Sequence, residues 1–408
     1  MTTKRKVPEI RFKGFNREWK DERLDSIADI VGGGTPSTTI LEYWNGNINW
    51  YSPTEIGYSN YAHNSQKKIT QLGFEKSSAR ILPANKTILF TSRAGIGDMA
   101  ILSKEGATNQ GFQSLVLKDG YIPYFIYSAG RLIKNYALKH ASGSTFLEIS
   151  GKQLGNMNIN IPSSAEQTKI GNYFQQLDIL IEQKEKRHQK LKQFKKAMLN
   201  KMFPKNGADT PEIRFKGFSG KWEEKKIGDL IEFIVDNRGK NPRYYCNEGI
   251  PVIDNFMIKN NYYPKLSEAT RFIDETLFNN FIRKYIEPND ILITLVGNGI
   301  GNITLVPKEK SVIIQNTLGL RFINEQIFMF YSLLSKNKEI KHIDRGMAQP
   351  SIRQDELLDI EIKIPKDLKE QTKIGNYFQK LDKQIDLQIK ELEKLKNIKK
   401  ASLTKMFV

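Results

Sequence analysis

An internal repeat constrains this chain more than any other feature. EQTKIGNYFQQLD at 166–178 returns as EQTKIGNYFQKLD at 370–382, with one substitution in thirteen positions. PEIRFKGF at 8–15 returns unchanged at 211–218, and KKAMLNKMF at 195–203 returns as KKASLTKMF at 399–407. All three matches share an offset of 203 or 204 in a chain of 408, and the segments between them hardly match. A fixed scaffold holding two different inserts implies a device that does one kind of job twice, on two targets.

The inserts, at about 20–165 and 223–369, share a pattern of short apolar runs bounded by turn signals. In the first, ILF (88–90), AIL (100–102) and SLVL (114–117) lie among GGGTP (32–36), NGN (45–47) and LPAN (82–85). This pattern predicts an α+β domain with a mixed, curled sheet and short helices. YIPYFIYSAGRLIKNYAL (121–138) has the length and spacing of a helix. DILITLVGNGIG (290–301) aligns with TILFTSRAGIGD (87–98), and IEIKIP (360–365) with MNINIP (157–162), so the inserts are expected to share a fold.

The repeated segments read as long amphipathic helices. Ile170, Phe174, Leu177, Ile181 and Leu191 recur at heptad spacing, as do Ile374, Phe378, Leu381, Ile385, Leu392 and Leu395, with Lys184, His188, Lys195, Gln388 and Lys399 as polar interruptions. Pro162 and Pro365 precede the helices. Two such stripes in one chain pair most simply with each other. Antiparallel pairing would put one insert at each end, and the bland alternative packs each helix on its own domain. The expected division is a repeat segment at 1–19, a first insert domain at 20–165, a helix at 166–207, a repeat segment with the second insert domain at 208–369, and a helix at 370–408.

A formal charge of +18 points to a polyanion partner. The single cysteine, Cys246, excludes an internal disulfide and fits a reducing, cytoplasmic setting. No run of eighteen apolar residues predicts a membrane span. The parts of a catalyst are missing: there is no phosphate loop, and the four histidines are scattered without metal-ligand spacing. NPRY (241–244) is similar to the adenine-methyltransferase motif N-P-P-[FY], but it has Arg243 at the second proline and no cofactor loop before it in the same insert. It reads better as a basic loop. EIK (361–363) reads as a strand with solvent-facing Glu361 and Lys363, and GIG (95–97, 299–301) as a tight strand-connecting turn. What survives is loops rich in Arg, Lys, Asn, Gln, Ser and Thr, the side chains that hold phosphates and read base edges. The candidates for DNA contact are Arg93 in the first insert, and Arg238, Lys240, Arg243, Asn298 and Gln349 in the second.

At this point the chain resembles the specificity subunit of type I restriction–modification systems, over essentially its whole length. GGGTPSTTILEYWNGNINWYS (32–52) is close to the opening of one group of target recognition domains, and DNRGKNP (236–242) with GIPVI (249–253) is similar to another. The paired E-Q-x-K-I helices with F-x-x-L-D resemble the family's repeated central and distal regions. The resemblance implies two target recognition domains reading the halves of a split, asymmetric site in double-stranded DNA, joined by an antiparallel coiled coil that acts as a ruler. It implies a non-catalytic chain that binds no cofactor. Two modification subunits carrying S-adenosylmethionine would dock on it, and restriction subunits would join them. The competing reading is a stand-alone methyltransferase or nuclease.

Overall fold

The computed structural model describes residues 7–143, 147–205, 207–240, 242–282, 284–343 and 351–408. The chain divides into two units, residues 1–185 with 391–408 and residues 186–390. It passes between them twice, each time inside a long helix: Ser164–Met202, of 39 residues, and Leu368–Lys405, of 38. Both helices start two residues ahead of the positions expected from the repeat. The reason is local: the Ser163 hydroxyl accepts from the Glu166 amide, and Asp367 accepts from the Lys369 amide at 2.8 Å, so side-chain capping begins within two residues of each proline.

In the first unit a five-stranded sheet runs in the order Ala28–Gly32, Gln113–Leu117, Thr87–Phe90, Met99–Leu102, Tyr61–Ala62. Its central strand is buried at every residue, and alternation sends Ile88 and Phe90 to one core and Leu89 to another. A three-stranded sheet, Lys67–Ile69, Trp44–Tyr51 and Gly106–Thr108, covers a smaller cluster around Trp50. The helix expected at 121–138 is two helices, Pro123–Ser128 and Gly130–His140. They break at Ala129, at ψ 1°, so that Tyr124, Phe125 and Ile126 face the core from the first piece and Ile133 and Ala137 from the second.

The second unit repeats the frame: Ile231–Asp236, Thr317–Phe322, Ile291–Thr294 and Ile303–Leu305 form a sheet of the same order. The strand pair Lys20–Arg23 with Asn158–Ile161 recurs as Glu223–Lys226 with Glu361–Ile364, in the same register. On that last strand Glu361 is exposed, while Lys363 reaches Asp209 at 2.9 Å, an ion pair that EIK alone did not suggest. The units differ around the sheet. The three-stranded sheet belongs to the first, and a short pair, Ile250–Pro251 with Phe272–Ile273, to the second.

The repeats lie where the two cores close. Arg11 clamps the Glu166 carboxylate with two bonds of 2.7 Å, and Arg214 does the same to Glu370 at 2.7 and 2.8 Å; both glutamates are 1% exposed. Beside them Gln167 and Gln371 donate to the carbonyls of Pro162 and Pro365. The terminal Met-Phe pairs do more than end the helices. In the first unit Phe407 packs against Phe125 and Phe174, with Trp19 beside them; in the second, Phe203 packs against Phe328 and Phe378, with Trp222 beside them. Each long helix thus ends in the core of the unit where the other begins.

The heptad stripes divide along their length. Ile170 and Phe174 are buried in the core of the first unit and Ile374, Phe378 and Leu381 in that of the second. Ile385 is buried, and Leu177, Ile181, Leu191, Leu392 and Leu395 are half-buried. Within the first unit Lys399 pairs with Asp178 and Lys396 with Glu185; within the second, Lys195 holds Asp382 at 2.6 and 2.7 Å. Partner numbers fall on one helix as they rise on the other, so the pairing is antiparallel. Both sequence alternatives hold: the first turns pack on a domain and the later turns on a partner helix.

Candidate nucleic-acid interface

In the first unit the candidate loops gather at one end of the five-stranded sheet. The loop after Thr87–Phe90 is a tight turn: the Thr91 hydroxyl donates to the Gly95 carbonyl at 2.6 Å and accepts from the Asp98 amide at 2.9 Å. Gly97, at φ 89°, lies so close to Lys134 that a Cβ would come within 2.4 Å of its Cγ. The Ser92 amide donates to the Gly111 carbonyl and the Ile149 amide to the Ser92 carbonyl, which brings three loops together. Arg93 stands on this turn, 43% exposed and 3.9 Å from Glu148, a wide pair that leaves the guanidinium available. Thr35 and the exposed Gln110 join the cluster through a 2.6 Å hydrogen bond. The glycine run is structural: a Cβ on Gly33 would fall 2.0 Å from the Asn109 carbonyl oxygen, and the Gly34 amide donates to the Thr108 carbonyl.

The second unit builds its end differently. Arg238 is held by both oxygens of Asp236, at 2.9 and 2.7 Å, and by Gln354 at 2.7 Å. The hydrogen bonds to Asp236 raise its pKa and lower that of the carboxylate. Nε and Nη2 make these bonds, and Nη1 takes no part in them. Lys240 lies 3.5 Å from the Asn237 side-chain oxygen. Arg243 is exposed and makes no ion pair among the described residues. Tyr244, beside it, donates its hydroxyl to Asp274 at 2.7 Å rather than forming an aromatic cage. Gln349 and Asn241 lie outside the described residues. Asn298 is exposed on the turn equivalent to that of Arg93, where the Gly301 amide donates to the Thr294 carbonyl.

Asn298 also lines a cavity of about 540 Å³ with Asp254, Phe256, Arg271 and Asn316. Arg271 is clamped to Asp254 and stacks on Tyr245, 4.9 Å from its ring centre, and Phe256 is 47% exposed. Of these residues the sequence singled out Asn298, but not Asp254, Phe256 or Arg271. They lie 27 to 44 residues before Asn298, and only the fold brings them to one rim. Among the described residues no group of three or more His, Cys, Asp or Glu side chains could hold a metal ion, and no helix is long and apolar enough to cross a membrane.

Over most of its length the chain is similar to known proteins. A family model described as the type I restriction modification DNA specificity domain matches twice, over residues 16–193 and 219–397. The chain is 30% identical to the MjaIX specificity subunit of Methanocaldococcus jannaschii, over 96% of this chain and 93% of that one. It is 24% identical to the MjaVIII specificity subunit of the same organism, over 94% and 90%. In fold it is similar to the S subunit of a type I restriction–modification system from M. genitalium, with a TM-score of 0.67, 18% identity, and 98% and 99% of the chains covered.

Proposed function

The chain belongs to the type I restriction modification DNA specificity family, and on that premise we propose that each unit reads one half of a split, asymmetric DNA target. As a specificity subunit it recognises DNA, and methylation and cleavage belong to its partners. The observation that carries the two-part reading is the contrast between frame and loops. Sheet order, Arg–Glu clamp and aromatic cluster are shared, whereas the loop ends present Arg93, Thr35 and Gln110 in one unit and Arg238, Asn298 and Phe256 in the other. Unlike side chains on like frames suit unlike base sequences.

Docking of two identical modification subunits fits the exposed part of the repeat. The clamped Glu and Gln are buried, so packing accounts for them. Lys13, Lys169 and Asn172 are exposed, and so are their counterparts Lys216, Lys373 and Asn376. Two equal faces suit two equal partners. S-adenosylmethionine is bound by those partners, this chain itself taking no cofactor; restriction subunits join the assembly, which acts in the cytoplasm.

The test replaces residues 20–165 by another recognition domain and sequences methylated sites in cells carrying the intact system. One half of the motif changes and the other stays. A change in both halves, or a palindromic product, would sink the two-reader reading. Calorimetry of the purified chain with S-adenosylmethionine gives no binding heat; a measurable one would revive the methyltransferase alternative.

A further inference from the structure

Outside the loop ends, the first unit has a concavity of about 310 Å³ between the helix Gly130–His140 and the long helices. Arg131, Lys396, Lys399 and Lys400 line it, with Asp178. Two of the four cations are matched internally: Lys399 pairs with Asp178, and Lys396 with Glu185 at 2.6 Å. Asp178 is further occupied by the Tyr124 hydroxyl at 2.7 Å. Arg131 and Lys400 are exposed, and neither side chain makes an ion pair or hydrogen bond among the described residues. Two surplus positive charges therefore face one hollow. One turn beyond Arg131, Lys134 bonds Asp98 at 3.0 Å and lies against Gly97, on the loop that carries Arg93. Cations thus continue from the long helices to the reading loop.

The second unit repeats these positions within otherwise unlike sequence. Lys341 lies against Gly301 as Lys134 lies against Gly97, which makes Lys338 the counterpart of Arg131. Lys192 and Lys196 stand 204 residues before Lys396 and Lys400. Lys338, Lys192 and Lys196 are all exposed. The base-reading loops diverge between the units, but this set of charges does not. A ligand that is the same for both units and carries dense negative charge answers that pattern.

We infer that Arg131 and Lys400, with Lys338 and Lys196 at the corresponding positions of the second unit, hold backbone phosphates of the bound DNA independently of its sequence. The inference rests on the DNA-reading function proposed above and adds the contacts that position the duplex rather than specify it.

The experiment uses the full chain assembled with its modification subunits. Fluorescence anisotropy measures binding to a duplex bearing the methylated motif, and to a scrambled duplex of equal length, between about 50 and 200 mM salt. Arg131→Ala and Lys400→Ala should each weaken both duplexes by the same factor and make the log–log salt slope shallower by about one. Lys86→Ala, which removes a charge paired with Asp119 in the same unit, should leave the slope unchanged. Unaltered slopes in the Arg131 and Lys400 variants overturn the inference, while wild-type binding keeps the DNA reading intact. An equal effect of Lys86→Ala overturns it by reducing it to net charge. Loss of assembly with preserved DNA affinity overturns it in favour of an acidic protein surface. If the wild-type assembly binds neither duplex, the DNA reading itself fails.

Discussion

Arg93, which is half-buried, and Asn298, which is exposed, occupy equivalent turns, but their chemistry differs. A guanidinium suits guanine or phosphate, and an amide suits adenine. Arg93→Ala should cost about 1–3 kcal/mol and relax one position of the first half-site if it meets a base edge, or lower the salt slope by about one if it meets phosphate. Asn298→Ala should relax one position of the second half-site. Affinity measured across single-base target variants decides between these, and unchanged affinity in both would move the reading elsewhere on the loops. His188 is a different kind of residue. Its Nδ1 is buried without a partner among the described residues, and burial, reinforced by Lys192, lowers its pKa from 6.5 although Asp386 opposes the shift. Asp386 in turn is raised, chiefly by burial and then by Asp382, against the pull of Lys390, Lys195 and Lys265. A histidine with a lowered folded pKa contributes stability that is fully present above 6.5 and lost as pH falls through the lowered value. The repeat has Leu392 at the corresponding position. His188→Leu should therefore stabilise the chain by about 1 kcal/mol, by removing an unsatisfied buried group. It should also flatten the fall in melting temperature between pH about 7.5 and about 5. An unchanged pH slope would show that the imidazole stays solvated.

At the scale of elements, ion pairs join the long helices alongside the apolar stripe. Lys195 and Asp382 are 13% and 11% exposed, and Asp382 also accepts from Tyr331 at 2.6 Å. Burial, and then the charge and hydrogen bond of Asp382, drive the Tyr331 pKa upward, so the phenol remains a donor. Lys399, Asp178 and Tyr124 repeat the triad in the first unit. Such a pair is a register device: a one-turn slip would leave both charges buried and unpaired. Asp382→Leu alone should destabilise the second unit by about 2–3 kcal/mol, and Asp382→Leu with Lys195→Met should recover most of that loss, because an apolar pair leaves no stranded charge. Hydrogen exchange of the segment 186–202 reads both effects, and additive losses would mean that the pair is not coupled. The same paired arrangement explains why a plain heptad could not be written through Lys184, which reaches Glu391, and through Lys195.

At the scale of the molecule, the two passages between units both fall inside long helices, at 185/186 and 390/391. Helical rise should therefore set the gap between the two halves of the target. Four residues added after Lys186, matched by four after Lys390, add about 6 Å at ~1.5 Å per residue. That should lengthen the unspecified gap of the target by about one or two base pairs at ~3.4 Å each and leave both half-sites unchanged. Matching is required, because an unmatched insertion turns one seam away from the other. Sequencing the methylated sites of this variant decides the matter: an unaltered gap, or altered half-sites with the old gap, would mean that the helices do not set the spacing.

The amino-acid sequence by itself determined the duplication, the two long helices, the tight GIG turns and the kinship of the inserts. Each of these is written in neighbouring residues: a heptad stripe, a capping residue after a proline, or a glycine pair where φ must be positive. Only the tertiary structure decided which surface each residue meets. Phe203 and Phe407 read as the last residues of helices, but Phe203 packs on Phe328 and Phe378, and Phe407 on Phe125 and Phe174, all far away in sequence. GGG at 32–34 read only as a turn signal, and the fold makes it a close backbone approach to 108–109. Arg238 read as a free loop cation and is held on one edge by Asp236 and Gln354. Arg131 and Lys400, 269 residues apart, became one site only when a short helix met a long one. Local conformation is chosen by a residue and its near neighbours along the chain. Burial, ion pairing and ligand sites are chosen by segments far apart in sequence, whose meeting no local pattern encodes.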